Sequence, residues 1–139
     1  MIEFVNHKDF TLSSSSCYAK WLSAVIVEEQ FIEGEVFVVF YTDSQLFDLN
    51  IRHLKHDTFT DIITFDYSQG KILSGDLCIS FQRVQDNAAI YDVSFSDEIA
   101  RVMVHGVLHL CGYKDKTKED QTTMTQKEDY YLSKLRLNI

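Results

Sequence analysis

The chain has 139 residues, 45% of them hydrophobic, and a formal net charge of −8. That length points to one domain, residues 1–139, able to bury a core without a disulfide or a metal staple. The acidic balance excludes the overall basic character that advertises nucleic-acid binding, so any such contact must come from local patches.

No apolar run approaches the ~20 residues of a membrane span, and the start M-I-E-F-V-N-H-K-D lacks the basic and apolar regions of a signal peptide. Cys17, Cys78 and Cys111 form no C-x-x-C pair and fit a reducing compartment as small buried side chains. The expectation is a soluble cytoplasmic protein with no membrane partner.

In chain order, Ile2–Val5 reads as a short strand. Ser13–Ser16 offer an N-cap to a helix from Cys17 to Ile32, with Trp21, Leu22, Val25 and Ile26 at helical spacing and Gly34 as a stop. The β-branched and aromatic run Val36–Tyr41 predicts a buried strand. Asp43 can cap a short helix through Leu54. Asp61–Phe65 and Asp76–Ser80 predict two strands separated by the turn residues Ser68, Gly70, Ser74 and Gly75, and Phe81 to Ile90 predicts a helix. Ser96 can cap a helix carrying Ile99, Ala100, Met103, Val107, Leu108 and Leu110, with Gly112 at its C-terminal stop. Lys118 to Leu137 predicts a final amphipathic helix. Strands and helices mix without βαβ alternation, so the expected fold is α+β: a single domain, a small mixed β-sheet with packed helices, and a metal-binding helix near the C-terminus.

The metal expectation rests on H-G-V-L-H-L-C-G-Y-K-D at 105–115. His105 and His109 are four apart, so they share one helix face, one turn apart. Two imidazoles so placed can reach one ion, and the turn at Gly112 lets Asp115 swing in as a third ligand. Three protein ligands leave a fourth position for water, as in catalytic zinc sites. Cys111 lies two places from His109 and points away from it, so it is not counted as a ligand. The spacing is also similar to that of metzincin proteases, but those carry a Glu after the first His and this chain has Gly106.

The same segment resembles the YbeY endoribonuclease family, whose signature reads H-G-x-L-H-L-x-G-Y-D-H. The likeness extends to Leu49–Asn50, Thr60–Phe65, Gly75–Ile79 and the pair Met124 and Glu128, in order. It implies an α+β fold with one zinc ion per chain held by His105, His109 and Asp115, where Asp115 replaces the family's usual third His. It implies cleavage of single-stranded RNA, maturation of small-subunit ribosomal RNA and ribosome quality control, with ribosomal RNA and small-subunit proteins as partners. Three positions depart from the pattern: Lys114 for an acidic residue, Phe59 for a proline, and Leu54 for the active-site Arg. Arg52 and Lys55 stand beside Leu54 as candidate catalytic substitutes.

Arg52, His53, Lys55 and His56, with Lys114, Lys116 and Lys118 around the metal, can form a positive rim for a phosphodiester. Asp61 and Asp76 are candidates to cap turns or orient histidines. Beside the nuclease stand two alternatives: a zinc-containing ribosome assembly factor with weak or lost catalysis, which Leu54 favours, and a zinc hydrolase or protease acting on another substrate.

Overall fold

The computed structural model describes residues 1–54 and 58–137. Four strands, β1 (Ile2–Val5), β2 (Ile32–Tyr41), β3 (Ile62–Asp66) and β4 (Ile72–Ser80), form one sheet in the order β1-β2-β4-β3. β1, β2 and β4 run parallel and β3 is antiparallel to β4, so the sheet is mixed. The helices are α1 (Ser15–Glu28), α2 (Asp43–Leu49), α3 (Phe81–Tyr91), α4 (Phe95–Leu110) and α5 (Lys118–Leu137). Among the described residues, no helix is long and apolar enough to cross a membrane. The α+β expectation agrees with this architecture.

Strand alternation divides the apolar residues between two faces. Val36, Val38 and Phe40 of β2 and Leu73, Leu77 and Ile79 of β4 join the main core beneath α1 and α4. Cys78 of β4 and Ile63 of β3 face the other way, where Leu46 of α2 covers them. Helix α4 is apolar on most of its circumference, with Ile99, Met103, Val104, Val107 and Leu108 all fully buried. It lies between the sheet and α5, which contributes Met124, Tyr131 and Leu132 to the same core.

Several boundaries differ from the sequence expectation. Helix α1 ends at Glu28 because Gln30 takes a left-handed φ of 68°, and Ile32 already belongs to β2. Gly34 therefore lies inside the strand, at a register shift between Glu33 and Val36, and stops no helix. The hydroxyl that caps α2 belongs to Thr42 and the one that caps α4 to Ser94, each accepting from the backbone N–H three residues on. Ser96 falls inside the first turn of α4. The segment expected as one helix to Leu54 is α2 followed by a π-helical turn, Asn50–Leu54.

Gly106 explains how closely α4 approaches the sheet. A Cβ there would stand 2.7 Å from Ile62 Cδ1 and 2.8 Å from Leu77 Cδ2. Without a side chain there, the helix settles on β3 and β4 with these side-chain ends undisturbed. The position facing the sheet is thus one residue from His105, and the two histidines are turned to the rim.

Candidate metal centre

Helix α4 delivers His105 and His109 to the same side, with ring centroids 4.5 Å apart and planes at 85°. Gly112, at φ 105°, reverses the chain after the helix as a left-handed glycine does. Asp115 is thereby carried back. His105 Nε2 and His109 Nε2 are 2.9 Å apart, and Asp115 Oδ2 lies 3.4 Å from each. Among the described residues these three form the one cluster whose ligand atoms converge closely enough to hold a metal ion.

The chemistry of the donors fits a divalent cation. His109 Nδ1 is 2.8 Å from the Tyr113 carbonyl oxygen, which can only accept, so Nδ1 carries the proton and Nε2 presents a lone pair. His105 Nδ1 is 2.6 Å from Glu128 Oε2, an equally clear acceptor. Two imidazole Nε2 atoms and a carboxylate thus face one point, a donor set that suits a divalent cation. Ligands about 2.0–2.1 Å from a tetrahedral zinc stand about 3.3–3.4 Å from each other, which matches Asp115 Oδ2 to each histidine, while the two Nε2 atoms stand closer. Burial alone would lower the His105 pKa. The hydrogen bond and charge of Glu128, with the charges of Asp115 and Asp61, outweigh burial and hold it above the ordinary value. Cys111 stands apart from this set: burial, with Glu29 and Asp66 adding, pushes its thiol up to about 12, which suits a packed neutral side chain.

Two open spaces meet at the cluster. One is a cavity of about 550 Å³ lined by Asp61, Asp97, Glu98, Arg101, His105 and Glu128 among others. Arg101 is held there by Glu128 Oε1 at 2.8 Å and Asp129 Oδ1 at 2.7 Å. Glu98 is 6% exposed, and burial, with the charge of Asp61 adding, raises its pKa. The other is a groove of about 470 Å³ lined by Asn50, Leu54, Thr58, Thr60, Thr64 and Lys116, with His105, His109 and Asp115 at its floor. Asn50 is buried in the π-helical turn and its Nδ2 donates to the Thr58 carbonyl at 2.9 Å, fixing one wall.

The remaining candidates sort by position. Leu54 lines the groove whose floor is the His105, His109 and Asp115 cluster. Arg52 is exposed on the π-helical turn and does not line the groove. Lys55 and His56 lie outside the described residues. Asp61 borders both spaces beside His105, and burial raises its carboxyl pKa. Asp76 sits on the opposite face of the sheet, where its partners are Tyr67 and Cys78, so it plays no part at the metal cluster. Lys114 and Lys118 are exposed outside the groove wall that Lys116 joins. Arg101 carries no motif that marks it in the sequence. Its signal is its place four residues before His105 on α4, on the same face.

A mixed α+β fold with a partly exposed His–His–Asp cluster, set between an acidic cavity and a threonine-lined groove, is the arrangement of a protein that could hold a metal ion at an open site. Comparison with known proteins narrows it. The chain belongs to the family described as endoribonuclease YbeY, whose model matches residues 3–136. It is similar to the endoribonuclease YbeY of Flavobacterium johnsoniae, at 48% identity over 93% of each chain. It is likewise similar to that of Bacteroides thetaiotaomicron, at 40% identity over 82% of this chain and 83% of the other. A solution structure from Thermotoga maritima shares the fold with a TM-score of 0.69 at 22% identity, covering 97% of this chain and 89% of that one.

Proposed function

We propose that this protein is a zinc-dependent endoribonuclease that cleaves single-stranded RNA in the cytoplasm, acting in small-subunit ribosomal RNA maturation and ribosome quality control. The observation that carries the reading is the convergence of His105, His109 and Asp115, with both histidine Nδ1 atoms engaged by outer partners and both Nε2 atoms turned to the shared point. Family membership supplies the substrate class.

When bound by these three ligands, zinc supplies a Lewis acid for the phosphodiester and lowers the pKa of water. The chain's own groups decide where RNA lies. The cavity lined by Asp61, Asp97, Glu98 and Glu128 repels a phosphate. The groove of Thr58, Thr60 and Thr64 with Lys116 offers neutral donors and one cation, so the backbone approaches from that side. Lys116 and the neighbouring exposed Lys114 and Lys118 give local attraction on an otherwise acidic protein. Ribosomal small-subunit proteins are the expected partners for the acidic remainder.

A protease reading finds no support. The residue after His105 is Gly106, which faces the sheet and carries no carboxylate to activate water. An assembly factor with weak catalysis is favoured by one observation, Leu54 in the groove wall.

The test is single-turnover cleavage of a labelled unstructured RNA oligonucleotide, with elemental analysis of the same preparations. Wild type should hold about one zinc per chain and cleave, and His105→Ala should lose both properties. Folded, zinc-loaded wild type that leaves the RNA intact would move the assignment to the assembly factor. A His105→Ala protein that keeps its zinc would remove His105 from the ligand set.

A further inference from the structure

Glu29 lies outside both spaces, at the C-terminal end of α1, with its side chain 8% exposed. Three donors converge on its carboxylate. Tyr113 Oη donates to Oε1 at 2.7 Å, Lys127 Nζ donates to Oε2 at 3.2 Å, and Tyr131 Oη also donates to Oε2. Burial alone would raise this carboxyl's pKa. The hydrogen bonds of Tyr131, Tyr113 and Lys127, with the Lys127 charge, outweigh burial and leave it below the usual carboxylate value.

Tyr113 is the link to the metal ligands. Its backbone N–H donates to the Leu108 carbonyl at 3.1 Å. Its carbonyl accepts from His109 Nδ1 at 2.8 Å. Its ring hydroxyl is held by Glu29, and the Lys127 ammonium lies 5.6 Å from its ring centroid. Residue 113 is therefore tied at its nitrogen to α4, at its ring to α1 and α5, and at its oxygen to a candidate ligand. The backbone before it turns at Gly112, a position with wide conformational freedom, so the ring tether limits how the 113 carbonyl can rotate.

We propose that Glu29 is a positioning residue for the metal site. By anchoring the Tyr113 hydroxyl, it fixes the carbonyl that holds the proton on His109 Nδ1 and aims Nε2 at the point shared with His105 and Asp115. Outer partners of this kind set the tautomer and orientation of a ligating imidazole. The inference rests on the ligand set of the proposed function.

The experiment measures zinc affinity by chelator competition for wild type, Glu29→Ala, Tyr113→Phe and the double variant. Val84→Ala, a core change in α3, serves as a control for lost stability alone. Each single change should weaken zinc about tenfold, the lower end for outer-partner substitutions. The double variant should be no weaker than about twofold beyond either single, because both remove one tether. Val84→Ala should bind zinc like wild type.

Nitrogen-15 spectra of the metal-free proteins give a second readout: His109 protonated at Nδ1 in wild type, and a mixture of tautomers in Glu29→Ala. Wild-type affinity in both single variants, or effects that simply add, would overturn the proposal. So would a mixed His109 tautomer in wild type. If wild type binds no zinc while the tautomer still responds to Glu29→Ala, the zinc assignment falls and the positioning of His109 stands. Should Glu29→Ala fail to fold, Lys127→Met removes only one donor, and an affinity unchanged by it together with Tyr113→Phe counts against the proposal.

Discussion

The two spaces flanking the His105, His109 and Asp115 cluster share Asp61 but differ in the rest of their walls. The cavity side is carboxylate-rich, and its one arginine is neutralised by Glu128 and Asp129. The groove side is made mainly of threonines, an amide, aliphatic side chains and Lys116, with Asp61 shared between the two spaces. Both touch His105 and Asp115, so the cluster sits on a boundary of charge. The difference separates two tasks. The acidic side fixes the ligands, because Glu128 meets His105 and is itself gripped by Arg101. On the proposed function, the groove side with Lys116 is the one from which RNA would enter.

Changes on the two sides should therefore alter different observables. The largest effect is expected in the groove. Leu54→Arg places a guanidinium where the wall faces the cluster, and a regained transition-state contact is worth about 3–4 kcal/mol, or about 100- to 1000-fold in rate. Single-turnover cleavage should rise towards that range while zinc content stays constant. An unchanged rate would mean that this wall does not face the scissile phosphate.

On the cavity side, Glu128→Gln should lower zinc affinity about 10- to 100-fold, read by chelator competition. RNA affinity of the zinc-saturated variant should stay near wild type. A variant that bound RNA much more tightly at saturating zinc would show that the acidic side also faces the substrate. The smallest effect belongs to Lys116→Ala, which should weaken RNA binding a few-fold and reduce the slope of log affinity against log salt by about 0.7, one phosphate contact on a single strand. A salt titration of fluorescence anisotropy measures it. An unaltered slope would leave Lys116 out of the RNA path.

The sequence exposes only part of this polarity. The pairing of His105 with His109 is legible because the helical period alone places residues four apart on one face. Asp115 follows because Gly112 announces where the chain must turn. Glu128 is legible only through its place in a family motif, since nothing local says that it meets a histidine 23 residues away. Glu29 is not legible at all. Its partners Tyr113 and Lys127 are 84 and 98 residues distant, and an acidic residue at the end of a helix looks like any solvated one. In the fold, the strand cores Val36–Tyr41 and Asp76–Ser80 are visible as apolar runs. The outer residues Ile32–Glu35 alternate weakly and were assigned in part to the preceding helix, whose end depends on the backbone of Gln30. Arg52 illustrates the limit of proximity in sequence: two residues from Leu54 on a π-helical turn, it is outside the groove that Leu54 lines.

Gly106 bears on which chemistries this scaffold can reach by mutation. The protease-like Glu after the first histidine would need only a glycine codon to change, yet its first carbon would meet Ile62 and Leu77 at under 3 Å. Making room would require the ends of the Ile62 and Leu77 side chains to shift beneath α4, one residue from His105. The innovation would therefore be felt first as repacking directly under the existing site. A lineage carrying this helix-on-sheet contact reaches proton-handling groups more readily from elsewhere in the fold.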